Sequence, residues 1–204
     1  MPRKTARLMV LTRNVFSLFY QRQVKFTFSM DLLAELSRRE WTAPDGYSLR
    51  SPDREADAEA WASLLNSDGN FGVWTAERIR EEIFNRLATP DSASGVWWGK
   101  ELTGCFSACD ASAKGKKIGM GMWFIIKPAH RGKGLSYPLC FRTLAYFGRE
   151  HYDAVYLTSD PFRLAALSFY LSNGAKPVYT SLLSPLQWWY IRIRLKRFKI
   201  RNSQ

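Results

Sequence analysis

The stretch Arg131-Gly132-Lys133-Gly134-Leu135-Ser136 decides the fold of this chain. It stands between an apolar run at residues 119–126 and a run with helical periodicity at residues 135–150. This order predicts a strand, a short loop and a helix that opens on glycines. Backbone N–H groups at a helix start lack partners, and the helix dipole adds positive charge there. Because two glycines let an anion approach the main chain, and Arg131 and Lys133 add charge, the segment predicts a site for a phosphate-bearing ligand.

Two common phosphate-binding loops do not fit this spacing. A P-loop needs a glycine, four residues of any type and then Gly-Lys-Ser/Thr, and a dinucleotide fingerprint needs a third glycine where Tyr137 stands. The segment instead resembles the pyrophosphate loop of the GNAT superfamily of acyl-CoA N-acyltransferases, whose pattern is Gln/Arg-x-x-Gly-x-Gly/Ala. Arg131 and Gly134 match this pattern, and Ser136 departs from its last position. The alternative is a glycine-rich turn that only begins an ordinary helix.

The sequence after the loop extends this resemblance. Residues 154–158 predict a buried strand. A second helix is predicted to begin at Asp160 and Pro161, with Asp160 as its cap, and to end at Asn173-Gly174.

GNAT proteins often carry Asn-x-x-Ala-x-x-x-Tyr in this second helix. Here Ala166 and Tyr170 are in register with that pattern, and Arg163 replaces the asparagine. The resemblance covers roughly residues 47–195. It implies an α/β (α+β) fold with a mixed, mostly antiparallel central sheet, a splayed parallel strand pair, and helices on both faces.

The resemblance also implies a co-substrate, acetyl-CoA or another acyl-CoA, bound where the parallel strands splay. The main chain of one strand would pair with the pantetheine arm at Phe124, Ile125 and Ile126. The N–H groups that would hold the pyrophosphate are those of Arg131, Gly132, Lys133, Gly134, Leu135 and Ser136.

By the same resemblance, Tyr170 matches the general acid that protonates the departing thiolate. A phenol with a pKa near ~10 suits a thiolate with a pKa near ~8–9. The alternative is that Tyr170 only packs beside Phe169. Many GNAT members carry a Glu on the strand that residues 119–127 form here, and this chain has no carboxylate there. The base is therefore open between proton loss to bulk water and four side chains, which are Asp110, Asp160, His130 and His151.

These observations predict an acyl-CoA-dependent N-acyltransferase that transfers acetyl to a primary amine by direct attack in a ternary complex. A non-catalytic acyl-CoA-binding module is the alternative. Residues 53–82 carry eight acids and three bases, so they would attract a cationic amine, unless they only form a solvated helix face. Four tryptophans are candidates either for the acceptor pocket or for the core: Trp61, Trp74, Trp97 and Trp98.

Composition fits one substantial hydrophobic core. The chain has 204 residues, of which 46% are hydrophobic. Its three cysteines are an odd number without a CxxC pair, which favours buried free thiols and a reducing, cytoplasmic location. Its two histidines are far from any metal-ligand spacing, so no metal is expected, and no apolar run reaches the roughly 20 residues needed to span a bilayer.

The net charge of +12 lies at the two ends of the chain. Residues 1–30 and residues 188–204 each hold six Lys or Arg and no acid. Such segments suit an anionic membrane surface or nucleic acid, and residues 1–30 also resemble a mitochondrial transit peptide. The predicted division is a basic, helical appendage at residues 1–40, a GNAT-like domain at residues 41–198 and a basic tail at residues 199–204. A homodimer is left open.

The remaining elements are predicted from periodicity and turn signals. They are a strand at residues 47–50, helices at residues 53–65 and 75–87 (the second capped by Thr75), a hairpin of residues 94–99 and 102–110, a basic loop at residues 111–117, and a strand at residues 191–195, where Ile191, Ile193 and Leu195 alternate with Arg192, Arg194 and Lys196.

Overall fold

The structure is a computed structural model that describes residues 23–69 and 71–201. Along the chain its elements are β1 (Val24–Thr27), α1 (Met30–Ser37), β2 (Tyr47–Arg50), α2 (Ala58–Asn66), α3 (Ala76–Glu82), β3 (Ala93–Trp98), β4 (Glu101–Asp110), β5 (Ile118–Ile126), α4 (Ser136–Arg149), β6 (Ala154–Ser159), α5 (Leu164–Ser172), β7 (Lys176–Val178) and α6 (Ser184–Arg201). This part of the chain falls into two compact units. The larger unit is residues 29–156, and the smaller unit joins residues 23–28 to residues 157–201.

The sheet of the larger unit is an antiparallel meander, β2-β3-β4-β5. The chain then passes through α4 into β6, whose first half lies beside β5 and runs parallel to it. Where the two strands start, the Asp153 N–H donates to the Lys117 carbonyl over 2.8 Å. The predicted mixed, mostly antiparallel α/β fold with a parallel strand pair is confirmed.

Helices cover both faces of this sheet. Successive residues of a strand point to opposite sides, so β4 contacts the helices on each face. On one side Cys105 and Cys109 of β4 belong to a core shared with Trp61 of α2 and Ile79 of α3. On the other side Gly104 lets α4 come close, since a Cβ there would lie 3.2 Å from the Leu139 side chain. The predicted helices on both faces are thus confirmed for the larger unit.

The smaller unit is built around the pairing of β1 with β7. These strands are antiparallel, with Lys25 opposite Val178. Phe26 is fully buried, and its ring meets Tyr170 of α5 at 5.5 Å and Trp188 of α6 at 5.1 Å between centroids. Among the helices of the described residues, none combines the length and the apolar character that crossing a bilayer requires.

Several predicted elements are confirmed. The hairpin of β3 and β4 is present and turns at Gly99 and Lys100. The helix predicted at residues 75–87 is confirmed at its start, beside Thr75, whose hydroxyl accepts the Arg78 N–H over 3.2 Å, but it ends at Glu82. The helix after the glycine loop is present as α4, and α5 ends at Ser172, directly before Asn173-Gly174.

The predicted strand at residues 191–195 is wrong, because this segment is part of helix α6. Ile191 and Leu195 are four residues apart, which fits one face of a helix as well as one face of a strand. A longer window shows the helical period. Trp188, Ile191 and Leu195 are buried at spacings of three and four residues, as one face of a helix requires.

The predicted helix start at Asp160 and Pro161 is also wrong. Helix α5 begins at Leu164, and Asp160 caps nothing. Its carboxylate instead accepts the Arg163 Nε–H over 3.0 Å. The helix predicted from residue 53 likewise begins only at Ala58, because the Asp53 carboxylate accepts N–H groups of the preceding turn.

The predicted division into residues 1–40, 41–198 and 199–204 stays a prediction. Of the helical appendage, residues 1–22 lie outside the described residues, and so do residues 202–204 of the predicted tail. Residues 24–27 are a strand, not a helix, and residues 30–37 are helical.

Candidate functional site

The glycine loop, residues 131–135, connects β5 to α4 after one turn of 3-10 helix at Pro128–His130. Gly132 and Gly134 both have left-handed backbones, with φ of +77° and +76°. A side chain at Gly132 would meet no atom within 4 Å, so the backbone conformation is what requires glycine there. The turn before α4 therefore depends on glycine because of its left-handed backbone.

The N–H groups of this loop are available to a ligand. Those of residues 132–136 donate to no acceptor within residues 23–69 and 71–201, and residues 131–134 are exposed. The N–H of Arg131 differs from them, since it donates to the Pro128 carbonyl over 3.3 Å. Of residues 132–136, the first three are exposed, whereas Leu135 is buried. Main-chain donors without partners at a helix start are of the kind that binds phosphate groups.

Arg131 holds this loop against the rest of the unit. Its Nε donates to the Ile126 carbonyl at the end of β5, and its terminal nitrogen contacts the Asp68 carboxylate, each over 3.0 Å. The Arg131 charge is therefore partly offset by Asp68. Lys133 is exposed, with its Nζ 6.0 Å from the ring centroid of Trp98, and it carries the loop's other formal charge.

A cluster of polar and aromatic side chains lies behind the loop, and sequence reasoning missed it. His130 is buried, with its Nδ1 2.8 Å from the Tyr47 hydroxyl and its Nε2 3.7 Å from Glu101. The hydrogen bond from Lys127 to Glu101 lowers the pKa of that carboxyl. Because both His130 nitrogens face partners, this residue supports the loop, and the arrangement does not favour it as a base. No local sequence signal marks the cluster, since its members come from three separate strands and loops.

The strand before the loop contains a bulge at Trp123. Between Cys105 and Ser107 of β4 the partner in β5 shifts from Ile125 to Met122, so β5 carries one extra residue. Trp123 has a φ of +61°, which is strained for a residue with a side chain. Its carbonyl accepts from the Cys105 thiol over 3.3 Å. The bulge twists the strand immediately before the predicted pantetheine-binding residues, Phe124, Ile125 and Ile126.

The Trp123 ring packs against two aromatic residues of the segment between α2 and α3. Its centroid lies 4.7 Å from Trp74 and 6.0 Å from Phe71. Of the four tryptophans considered for an acceptor pocket, Trp61, Trp74 and Trp97 belong to the buried core, whereas Trp98 is 48% exposed and packs on Tyr47.

The acidic segment at residues 53–82 is partly neutralised by ion pairs. Asp57 is buried and accepts both terminal nitrogens of Arg50, over 2.6 and 3.0 Å. Burial alone would raise the pKa of Asp57, but the hydrogen bonds from Arg50 and from the Asp53 N–H outweigh it and lower that pKa. Arg78 pairs with Glu82 in the same way on the surface. Arg78 is already in the sequence count, but Arg50 lies outside the counted segment and so makes the attraction for a cationic amine smaller than that count indicates.

The predicted acid, Tyr170, lies in the smaller unit. It is 3% exposed, and its ring packs edge-on against Phe26 and against Phe169, whose centroid is 6.0 Å away. This packing beside Phe169 is the arrangement that sequence reasoning offered as the alternative. The role of Tyr170 as an acid stays a prediction.

Two of the other candidates for the base, Asp110 and Asp160, are engaged in local hydrogen bonds. Asp110 pairs with Gly119 at the start of β5, whereas the glycine loop follows Ile126. Seven strand residues separate these ends by about 23 Å, so Asp110 is far from the loop. Hydrogen bonds from the Ser112 side chain and main chain lower the pKa of Asp110. Asp160 is engaged by Arg163 and Gln23 in the smaller unit.

His151 ends the turn after α4 with a φ of +52° and is exposed. The three cysteines are buried free thiols, as predicted, and burial raises the pKa of Cys109 to about 11. In the part of the chain that the structure describes, no three residues of the metal-binding types stand together.

No family model matches this sequence, and no curated protein sequence does. Solved structures do match. One is a tandem GNAT protein from the clavulanic acid biosynthesis pathway, with 16% identity and a TM-score of 0.58 over 76% of this chain and 50% of that one. Another is a GCN5-related N-acetyltransferase from Sphaerobacter thermophilus, with 16% identity and a TM-score of 0.59 over 82% of this chain and 53% of that one.

A third is the ribosomal-protein-alanine N-acetyltransferase from Brucella melitensis biovar Abortus 2308. It has 18% identity and a TM-score of 0.56, over 67% of this chain and 96% of that one. The chain thus spans about half the length of the first two structures and nearly all of the third. At this identity the likeness concerns the fold. The mixed sheet, the glycine loop before α4 and these neighbours together show that the chain has the fold of the GNAT acetyltransferases.

Proposed function

We propose that this protein is an acyl-CoA-dependent N-acyltransferase that uses acetyl-CoA and a primary amine. One observation carries the proposal. Residues 132–136, where the glycine loop meets α4, offer five consecutive main-chain N–H groups that donate to no acceptor in the described part of the chain, and the backbones of Gly132 and Gly134 are left-handed. Such an array of donors suits a diphosphate, and the resemblance to GNAT proteins implies that the acyl-CoA pyrophosphate binds at this loop.

In the proposed reaction, the loop N–H groups and Lys133 hold the pyrophosphate, and Arg131 keeps the loop in place. The main chain of Phe124, Ile125 and Ile126 would pair with the pantetheine arm. The amine nitrogen attacks the thioester carbonyl, a C–N bond forms and the C–S bond breaks. The thiolate takes a proton from Tyr170 in this proposal, the amine loses one to water, and a proton from solvent restores the Tyr170 phenol. Positioning of the two substrates supplies most of the rate enhancement.

The first test is direct binding and turnover. Purified protein should bind acetyl-CoA in a calorimetric titration, and a panel of primary amines should release free CoA thiol. Arg131→Glu should weaken acetyl-CoA binding, because it reverses a charge of the loop and places the introduced carboxylate beside that of Asp68, where the two repel each other. Lys100→Glu, an exposed charge reversal outside the loop, is the matched control. Absence of acetyl-CoA binding at millimolar concentration contradicts the proposal.

One observation favours a second candidate function, an acyl-CoA-binding module without turnover. Strand β5 carries no carboxylate, so it offers no base beside the bulge. In that case the protein should bind acetyl-CoA but release no thiol with any amine. Tyr170→Phe separates the two cases, since it should slow turnover with little loss of binding only if the protein is an enzyme.

A further inference from the structure

Exposed apolar side chains are concentrated on one part of the smaller unit. Within the described residues eleven large hydrophobic side chains are exposed, and six of them lie within residues 179–200. Leu182 is fully exposed, and Trp189 is 61% exposed. Five of the six fall within residues 179–189, and apolar side chains exposed close together mark interaction sites. We call these five the apolar patch: Tyr179, Leu182, Leu183, Leu186 and Trp189.

Helix α6 continues this surface with cations. Its inward face is set by Trp188, Ile191 and Leu195, which are buried. At 100° per residue, Arg192 and Lys196 lie to one side of the buried face, within about 60° of Trp189. Both cations are exposed, as is Arg197 beside them. We call Arg192, Lys196 and Arg197 the basic face.

The charge of the chain is segregated in the same direction. The described residues of the smaller unit, 23–28 and 157–201, hold nine Lys or Arg and one acid, a net charge of +8. The larger unit, residues 29–156, has sixteen Lys or Arg and seventeen acids, a net charge of −1. No acid follows Asp160 in the sequence. Among the described residues the excess of positive charge therefore lies in the smaller unit, where α6 holds six of the nine Lys and Arg.

We propose that the apolar patch and the basic face together bind an anionic phospholipid bilayer. The cations would lie at the phosphate level, and the leucines would enter the boundary of the acyl chains. Trp189 and Tyr179 are of the types enriched at headgroup depth. A nucleic acid would engage the cations but would leave Leu182, Leu183 and Leu186 exposed to water, so a bilayer accounts for more of the surface.

The proposal can be tested by sedimenting the full chain with vesicles. We expect binding to vesicles of phosphatidylcholine with 30% phosphatidylserine (about one lipid in three), weak binding to pure phosphatidylcholine, and a loss of binding as salt rises. Each cation near an anionic bilayer strengthens binding about fivefold. The triple variant Arg192→Gln, Lys196→Gln, Arg197→Gln should therefore bind on the order of 100-fold more weakly.

Matched variants separate a local surface from net charge alone. Lys100→Gln, Lys114→Gln, Lys116→Gln removes the same charge from exposed positions of the larger unit and should change binding by less than about fivefold. For the apolar part, Leu182→Ser should weaken binding about tenfold, whereas Val73→Ser, another strongly exposed site, should not. Circular dichroism checks that every variant is folded.

Three results would overturn the proposal. The first is equal sedimentation with neutral and anionic vesicles. The second is an equal loss of binding for the two lysine and arginine triples, which would reduce the effect to net charge. The third is absence of vesicle binding together with binding to a duplex DNA that depends on Arg192 and not on Leu182, which would identify a nucleic-acid surface.

Discussion

The substitution Gly132→Ala tests whether the shape of the glycine loop carries acyl-CoA binding. A Cβ at this position would meet no atom within 4 Å, so the substitution causes no steric clash. Its cost arises from the φ of +77°, where an alanine is disfavoured by roughly 1–2 kcal/mol. The loop can escape that strain only by rotating the peptide units whose N–H groups would face the pyrophosphate.

Gly115→Ala is the matched control. Gly115 has a φ of +73° and equally open space around its Cβ, but it lies in the loop before β5, at the other end of that strand. Both variants should therefore lower the free energy of unfolding in urea by about 1–2 kcal/mol. Only Gly132→Ala should lose affinity for acetyl-CoA.

The size of that loss follows from the contacts at stake. A hydrogen bond to a charged group contributes about 1.5–3 kcal/mol, so losing one N–H to the pyrophosphate weakens binding about 10- to 150-fold. Isothermal titration of both variants with acetyl-CoA measures it. If Gly132→Ala is destabilised like Gly115→Ala and yet binds acetyl-CoA as tightly as the unmodified protein, the loop is not the pyrophosphate site and the reasoning fails.

Three further predictions concern the surroundings of the loop and the core. Asp68→Asn removes the carboxylate that partly offsets the Arg131 charge, so acetyl-CoA affinity in a titration should rise about two- to fivefold. A decrease in affinity would contradict the idea that Asp68 weakens the attraction of the loop for the pyrophosphate. Gly119→Ala would place a Cβ 2.4 Å from the Phe147 ring, and urea unfolding should show a loss of about 1–3 kcal/mol. The pKa of Asp57 is lowered in the folded state, so its contribution to stability is complete above pH ~4 and is lost as the pH falls through the folded pKa. Asp57→Asn should therefore show a shallower acid loss of unfolding free energy, and identical acid profiles would refute it.

The order of strand, glycine loop and helix could be predicted because its signals are local. Apolar periodicity marks β5 and α4, and glycines mark the turn between them. The bulge at Trp123 could not be predicted, because its φ of +61° results from the pairing of β5 with β4. Tryptophan has no intrinsic preference for that backbone region.

Helix α6 shows the opposite difficulty. Alternating Ile and Arg over residues 191–196 fits a half-buried strand as well as a helix, and the difference appears only when Trp188 is included. The contacts of His130 with Tyr47 and Glu101 could not be predicted either, because these residues are far apart in the sequence. They meet only through the pairing of β2 with β3 and of β3 with β4. Long-range register is set by packing, which local patterns do not encode.

The pairing of β1 with β7 has a consequence for synthesis on the ribosome. About 150 residues separate Lys25 from Val178, its partner in the ladder. At elongation rates of about 5–20 residues per second, β1 emerges roughly 8–30 seconds before β7 does. The sequence of the larger unit is translated entirely within this interval. During that time β1 has an edge without β7 beside it, so nascent chains that stall before residue 176 should be the ones that chaperones engage through this strand.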